Sequence, residues 1–160
     1  MRPLLLAALL LLSLPALAAP PQPLDQPGWA ALRSAHAGQP TIVHFWGLSC
    51  GPCLVELPEW GALLRQRPGL DLIVVEADQV EARPDRIAAV LDKAGLGQAK
   101  SRTLADPFDD RLRYRIDAGW AGELPLTLLI GRDGTVTRVL GGADFAAVRR
   151  WLNQQTEQHR

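Results

Sequence analysis

Residues 41–60 read T-I-V-H-F-W-G-L-S-C-G-P-C-L-V-E-L-P-E-W, and this stretch decides the fold. The apolar, β-branched run over 41–46 predicts a buried strand, and the short link over 47–49 predicts a tight turn. C-G-P-C at 50–53 then opens a predicted helix, where Pro52 can occupy the first turn without losing a hydrogen bond. The positive end of a helix dipole stabilises a thiolate at such a place. The arrangement therefore predicts a reactive thiol at the first cysteine, with the second sulfur close enough to form a disulfide.

This motif carries a resemblance to a known family. F-W-x-x-x-C-G-P-C resembles thioredoxin, including the Gly-Pro between the cysteines. The continuation C-L-V-E-L-P at 53–58 resembles the TlpA/ResA/CcmG (DsbE) group of exported thioredoxin-like proteins, which often carry C-x-x-C-x-x-E-x-P. The resemblance can be followed from about Gly28 to Leu152. It implies an α/β thioredoxin fold, with a central mixed β-sheet flanked by helices on both faces, and a thiol–disulfide oxidoreductase activity.

The first 19 residues have the pattern of a secretory signal peptide: a basic start, an apolar run over 4–14 and an Ala-x-Ala site. That run is shorter than the about 20 residues that span a bilayer. We therefore expect cleavage after Ala18 or Ala19 and a periplasmic protein. An uncleaved membrane anchor is the alternative, and it is the one membrane contact that the sequence predicts.

The remaining chain of about 140 residues has the length of one domain. Residues 20–27 are Pro-rich without an apolar period, which predicts a flexible or extended arm. The thioredoxin-like domain is expected over 28–160. The 17 basic and 17 acidic residues balance without a basic stripe, so we expect no nucleic-acid partner. We expect a monomer.

The rest of the pattern predicts alternating strands and helices in the order βαβα–ββα, preceded by an N-terminal helix, which is the thioredoxin order. Near-continuous apolar content over 70–77 predicts a parallel strand covered on both faces. Pro58 predicts a bend in the helix that follows the cysteines, and Asp133-Gly134 predicts a hairpin. Predicted helices cover 28–37, 52–66, 84–94, 107–116 and 143–155, and predicted strands cover 41–46, 70–77, 101–106, 126–130 and 135–140.

The two cysteines favour redox chemistry over the alternatives. A bridge that closes so short a loop constrains the unfolded chain little, which argues against a structural staple. Structural zinc takes four ligands, and the chain has no other cysteine and only three scattered histidines. Covalent haem attachment needs a histidine after the second cysteine, where Leu54 stands. We expect no metal and no cofactor.

The resemblance assigns Cys50 as the nucleophile and Cys53 as the more buried resolving thiol of a redox-active disulfide, acting through a mixed disulfide. His44 occupies the position of a buried thioredoxin aspartate that helps move a proton from the second cysteine, and histidine titrates near neutral pH. A hydrogen-bonded core histidine is the alternative. Glu56 shares a helix face with Cys53 and matches the acidic residue near the active site of TlpA/ResA-like proteins. Its alternative is a solvated helix glutamate.

The resemblance also predicts substrate contacts. L-P-L-T around Pro125 resembles the family segment whose proline is cis and faces the disulfide, although only about 5–6% of X–Pro bonds are cis. A trans proline at the start of a strand is the alternative. A cis turn would leave the Leu124 backbone free to pair with an extended substrate.

Four further residues complete the predicted substrate site. Gly51 and Pro52 lie between the cysteines, and Trp46 is expected to pack beside them. Ser49 stands where the family usually has a tryptophan before the first cysteine. Trp120 could replace some of that apolar contact, and loop packing is its alternative.

Together these features predict an exported enzyme that reduces disulfides in envelope proteins. The resemblance implies protein thiol or disulfide substrates, such as cytochrome-maturation thiols, copper-site cysteines or misoxidised proteins. It also implies a membrane electron donor of DsbD/CcdA type. The alternatives are a disulfide donor or isomerase, and a metallochaperone that carries copper(I) on the same cysteine pair, since soft thiolates suit that ion.

Overall fold

The structure is a computed structural model that describes residues 21–78 and 83–157. The predicted signal peptide, residues 1–19, lies outside these ranges. No helix within the described residues is long and apolar enough to cross a membrane. The elements are β1 (Gln22–Leu24), α1 (Gln26–Ala35), β2 (Thr41–Trp46), α2 (Gly51–Gln66), β3 (Asp71–Glu76), α3 (Pro84–Lys93), β4 (Lys100–Leu104), α4 (Asp110–Ile116), β5 (Leu126–Ile130), β6 (Val136–Leu140) and α5 (Phe145–Glu157).

The strands form one mixed six-stranded sheet in the order β1-β4-β3-β2-β5-β6. Strands β1, β4, β3 and β2 run parallel to one another, whereas β5 is antiparallel to both β2 and β6. All six residues of β2 are buried, as expected for a strand at the centre of a sheet with both faces covered. The segment that follows β2 therefore starts from a rigid, central position.

Helices cover both faces of this sheet, as the sequence predicts. Because side chains alternate along a strand, Val43 and Phe45 of β2 enter one core, which α1 and α4 cover. Ile42 and Trp46 enter the other core, which α2, α3 and α5 cover and which contains Cys53. The side chain of His44 points to this second face.

The N-terminal arm is part of the sheet. Within the predicted arm, β1 pairs in parallel with β4, and Leu24 lies opposite Leu104. Helix α1 already starts at Gln26, because the Asp25 carboxylate accepts a hydrogen bond from Gly28 N at 2.7 Å and caps the first turn. Residues 22–24 of the predicted arm are thus extended, and the first helix starts two residues before its predicted start at 28.

Helix α4 starts later than predicted, at Asp110 instead of residue 107. The reason is a cap: Asp109 accepts hydrogen bonds from the N–H groups of Arg111 and Leu112 at 2.9 and 3.0 Å. Asp109 and Asp110 are adjacent acidic residues, and Asp109 is the one that caps the helix.

Helix α2 is held tightly against the end of α3. A Cβ atom on Gly61 would lie 1.9 Å from the carbonyl oxygen of Ala94, so only glycine permits this approach. Pro58 lies within α2, as predicted. This contact fixes the helix whose first turn carries both cysteines.

Candidate active site

The two cysteines lie at the start of α2 and form a disulfide. Cys50 is the N-cap residue, and its Sγ accepts a hydrogen bond from Cys53 N at 3.2 Å. Cys50 is half-buried, whereas Cys53 is fully buried. Only the first sulfur is therefore accessible to another protein, which is the order of exposure that an attacking and a resolving thiol require.

His44 is fully buried beneath this helix. Its Nδ1 lies 2.9 Å from Thr127 Oγ1 on the neighbouring strand β5. Its Nε2 lies 3.4 Å from Glu56 Oε1 and has no hydrogen-bond partner within the described residues. Burial lowers the pKa of His44 to about 3, so the imidazole is neutral at physiological pH.

Glu56 is buried as well, with 7% of its surface exposed. Its Oε1 accepts a hydrogen bond from Trp60 Nε1 at 3.2 Å, and its Oε2 accepts one from Ala143 N at 3.0 Å. Burial raises the pKa of Glu56, and these two hydrogen bonds act in the opposite direction. The alternative of a solvated glutamate is wrong, because the carboxylate is buried between α2 and the segment before α5.

His44 and Glu56 thus form a contact between β2 and α2 that can hold a proton. A protonated Glu56 can donate toward the free Nε2 of His44, and an ionised Glu56 can receive a proton. Trp60 packs against the imidazole, with ring centroids 5.2 Å apart, and excludes water from it.

Pro125 lies at the start of β5, and the Leu124–Pro125 bond is cis, as the resemblance predicts. Pro125 is buried, and its carbonyl oxygen accepts a hydrogen bond from Gly141 N at 2.8 Å. Leu124 is half-buried and packs against the core that contains Cys53. Within the described residues, neither the N–H nor the C=O of Leu124 has a hydrogen-bond partner.

The two tryptophans of the predicted substrate site are both buried. Trp46 is fully buried in the core beneath Cys53. Trp120 is 4% exposed, packs against Phe45 on the opposite face of the sheet and donates from Nε1 to the carbonyl oxygen of Glu123 at 2.8 Å. Trp46 thus lies in the same core as Cys53, whereas Trp120 packs beneath its own loop, which is the alternative stated for it.

The apolar surface near the disulfide comes from other residues. Gly51 and Pro52 are exposed at the start of α2, as their predicted substrate contact requires. Leu54 and Val55, in the next positions of the helix, are 39% and 80% exposed. The sequence analysis did not single them out, although an apolar pair directly after a C-x-x-C motif was a usable signal.

Two buried acidic residues at the end of β3 were also missed. Glu76 is 1% and Asp78 is 8% exposed. The Asp78 carboxylate accepts two hydrogen bonds from Ser49, the residue before Cys50. Acidic residues that close an apolar strand were the available signal, but the sequence does not bring them to the cysteine turn.

No group of three or more His, Cys, Asp or Glu side chains suited to a metal ion occurs within residues 21–78 and 83–157. Two thiolates from a reduced pair would be the soft ligands available at this site.

Comparisons with known proteins agree with this geometry. The thiol-disulfide oxidoreductase ResA of Geobacillus thermodenitrificans (strain NG80-2) is 26% identical to this chain over 109 residues, which cover 67% of this chain and 57% of the relative. The match therefore spans little more than half of the relative's length. No protein-family profile matches the chain.

Solved structures share the fold at low sequence identity. A secreted disulfide oxidoreductase of Mycobacterium tuberculosis, homologous to E. coli DsbE, has a TM-score of 0.57 at 18% identity and covers 72% of this chain and 81% of its own. StoA from Bacillus subtilis has a TM-score of 0.55 at 20% identity, with 72% and 84% covered. A thiol-disulfide isomerase from Corynebacterium glutamicum has a TM-score of 0.61 at 15% identity, with 76% and 83% covered.

The fold and the site together define a thioredoxin-fold protein with a C-G-P-C disulfide at the start of a helix. The predicted fold class is confirmed. Within this class, the match to ResA confirms the resemblance to the TlpA/ResA/CcmG (DsbE) group of thiol–disulfide oxidoreductases.

Proposed function

We propose that this protein is a thiol–disulfide oxidoreductase that reduces disulfides in exported proteins. The observation that carries the proposal is the Cys50–Cys53 disulfide at the start of α2, with one accessible and one buried sulfur. The Gly-Pro dipeptide favours reduction, since thioredoxin, which carries it, has a potential of about −270 mV.

In the first step, the Cys50 thiolate of the reduced protein attacks one sulfur of a substrate disulfide. A bond forms between Cys50 and that sulfur, the substrate disulfide breaks, and the other substrate sulfur leaves as a thiolate. The N-terminus of α2 and the Cys53 N–H stabilise the Cys50 thiolate. The accessible position of Cys50 allows the mixed disulfide to form.

In the second step, Cys53 loses its proton and attacks Cys50. The Cys50–Cys53 bond forms, the mixed disulfide breaks, and the substrate leaves as a dithiol that has gained two electrons and two protons. A buried thiol needs a nearby base to lose its proton. We assign that role to the pair of Glu56 and His44, with Glu56 as the acceptor on the helix face of Cys53.

The substrate is proposed to bind as an extended segment beside Leu124. The unpaired N–H and C=O of Leu124 offer it main-chain hydrogen bonds. Gly51 and Pro52 leave the approach to Cys50 open. Leu54 and Val55 add an apolar surface, so a substrate with apolar residues next to its cysteine fits best.

We further propose that residues 1–19 direct export to the periplasm, and that residues 28–160 form one monomeric domain after the arm at 20–27. In an oxidising compartment the reduced pair must be regenerated. A membrane-bound dithiol donor of DsbD/CcdA type would supply the two electrons. Cytochrome-maturation thiols, copper-site cysteines and misoxidised envelope proteins are the candidate substrates.

The reduction potential of the Cys50–Cys53 pair tests the direction of this reaction. We expect a value at or below about −250 mV after equilibration with dithiothreitol, close to that of thioredoxin. A value near about −120 mV, like that of DsbA, would instead make the protein a disulfide donor.

A trapping experiment tests the enzyme against the copper(I) carrier. A Cys53→Ala variant should retain substrates as mixed disulfides on Cys50, whereas Cys50→Ser should retain none. Stoichiometric copper(I) binding by the reduced protein, together with no mixed disulfides, would favour the metallochaperone.

A further inference from the structure

The buried carboxylate of Asp78 is hydrogen-bonded to the turn that precedes Cys50. Asp78 follows β3, and its Oδ2 accepts a hydrogen bond from Ser49 N at 2.6 Å. Its Oδ1 accepts a second one from Ser49 Oγ at 2.7 Å. Ser49 and Cys50 are neighbours, and consecutive Cα atoms are only about 3.8 Å apart. The carboxylate therefore contacts the residue that directly precedes the accessible cysteine.

The turn is shaped around this carboxylate. Cys50 N donates to the carbonyl oxygen of Gly47 at 3.2 Å, which closes the turn over 47–50. A Cβ atom on Gly47 would lie 3.0 Å from Asp78 Cγ and 3.1 Å from its Oδ2. Glycine at this position thus leaves the space that the carboxylate occupies.

A second buried acidic residue, Glu76, holds the backbone of Asp78 in place. Glu76 Oε1 accepts a hydrogen bond from Asp78 N at 3.0 Å, which fixes the backbone of Asp78. Burial, together with the nearby charge of Asp78, raises the pKa of Glu76 to about 7, although the hydrogen bond from Asp78 N lowers it. Glu76 can therefore hold a proton up to neutral pH, and the Asp78 carboxylate accepts both hydrogen bonds from Ser49.

We propose that Asp78 and Ser49 are positioning residues for Cys50: their two hydrogen bonds hold the cysteine turn, and the negative charge of Asp78 opposes thiolate formation at Cys50. The proposal rests on the proposed function in taking Cys50 as the attacking thiol. Ser49, the residue before Cys50, supplies both hydrogen bonds, one from its N–H and one from its hydroxyl.

The charge of Asp78 acts against two groups that favour the thiolate, namely the N-terminus of α2 and the N–H of Cys53. The buried titratable side chains of the elements around the disulfide are Glu76 on β3, Glu56 on α2 and His44 on β2, whereas Glu59 and Arg65 on α2 are exposed and Asp71 lies at the far end of β3. His44 is neutral, because burial lowers its pKa to about 3. Asp78 is the acidic side chain joined directly to the cysteine turn.

The test measures the pKa of the Cys50 thiol in the reduced full-length protein, from the pH dependence of iodoacetamide alkylation followed by mass spectrometry of the Cys50 peptide. Asp78→Asn keeps the shape of the side chain and removes its charge. We expect the pKa of Cys50 to fall by about one unit, a roughly tenfold rise in its acid dissociation constant. Glu157→Gln, which removes an exposed negative charge at the end of α5, is the matched control and should leave this pKa unchanged.

Two further variants separate position from charge. Asp78→Ser removes the charge with a shorter side chain, so the pKa of Cys50 should fall in the same direction; this variant carries the test if Asp78→Asn does not fold. Ser49→Ala keeps the carboxylate but loses the hydroxyl hydrogen bond. It should slow disulfide exchange roughly fivefold without lowering the pKa of Cys50.

An unchanged or raised pKa of Cys50 in the folded Asp78→Asn variant would overturn the proposal, as would an equal shift in Glu157→Gln. The alkylation measurement needs no enzymatic activity. If the pKa falls as expected but the wild type exchanges no disulfides, the proposed function fails and the role of Asp78 stands.

Discussion

At the scale of single residues, the site depends on polar side chains that have been removed from water. His44 and Glu56 face each other across the interface of β2 and α2, and both are buried. Desolvation moves their pKa values in opposite directions, down for His44 and up for Glu56, and both shifts favour the neutral forms. Because its pKa is raised, the ionised Glu56 carboxylate is a stronger base for the Cys53 proton than an ordinary glutamate.

The first residue-scale prediction concerns Glu56→Gln, which keeps the shape of the side chain but cannot take up a proton. General-base catalysis contributes about 10²–10⁴-fold, so we expect the release of substrate from the mixed disulfide to slow by at least about a hundredfold. In the wild type this rate should rise with pH as Glu56 ionises through its raised pKa, and that rise should vanish in the variant. Stopped-flow measurement of product release across pH checks both effects.

Glu59→Gln is the matched control for this experiment, because Glu59 lies on the same helix with its side chain 58% exposed. Its rate and pH profile should match the wild type. If Glu56→Gln keeps the pH dependence of the wild type, Glu56 is not the base.

At the scale of elements, α2 positions the site because it follows the central strand β2 at one end and contacts the end of α3 at Gly61. Gly61 allows the closest of these contacts, with the end of α3. The protein interior is packed like a crystal, so an added methyl group has no room to enter without moving the backbone. The position of the disulfide therefore depends on a residue well removed from it in the helix.

The element-scale prediction is that Gly61→Ala lowers the free energy of unfolding by about 1–3 kcal/mol, the usual cost of overpacking. The added Cβ would lie 1.9 Å from the Ala94 carbonyl oxygen, and backbone cannot rotate away as a side chain can. Urea unfolding measures the change in the free energy of unfolding. Gly69→Ala is the control, since nothing lies within 4 Å of its added Cβ. Equal stability of the two variants would contradict the proposed role of this contact.

At the scale of the whole molecule, two polar clusters lie at opposite ends of the central strands. The active site follows the end of β2, and a second cluster lies where β2 and β3 begin. There Asp71 accepts hydrogen bonds from Lys100 Nζ at 2.7 Å and Thr41 Oγ1 at 2.9 Å, and it pairs with His36 after α1. This cluster joins α1 to three strands of the sheet and closes the pole opposite the disulfide.

The whole-molecule prediction concerns stability in acid. Burial opposes ionisation of Asp71, but hydrogen bonds from Lys100 and Thr41 and the charge of His36 outweigh it and lower its pKa. Because the folded state lowers this pKa, the stabilisation is present above the unfolded value, about 3.9, and is lost as pH falls through the folded value. Asp71→Asn should cost about 1–3 kcal/mol at pH 7.

Unfolding in urea between pH 2 and 7 measures this effect, and the difference between wild type and Asp71→Asn should shrink toward the acid end. Asp110→Asn is the control, since that side chain is 89% exposed, and it should leave the pH dependence unchanged. A difference that stays constant across the pH range would mean that Asp71 acts through packing alone.

The local pattern of the sequence determined most elements of this fold. The strand over 41–46 and the strand over 126–130 have the predicted bounds. A short, continuous run of apolar and β-branched residues is typical of a strand buried on both faces. The C-G-P-C motif after a strand was enough to predict a helix start with a reactive thiol. These features depend on neighbours in the chain, and neighbours are what a sequence shows directly.

Only the tertiary structure decided the features that join distant segments. Strand β1 has only three residues and shows no alternation of apolar and polar residues. It is a strand because it pairs with β4. The burial of Trp46 and Trp120, the enclosure of Glu56 and the attachment of Asp78 to Ser49 across 29 positions all depend on how helices and strands pack. A single side chain does not reveal which segments will remove it from water, and that desolvation sets the pKa values and hydrogen bonds from which the chemistry of this site follows.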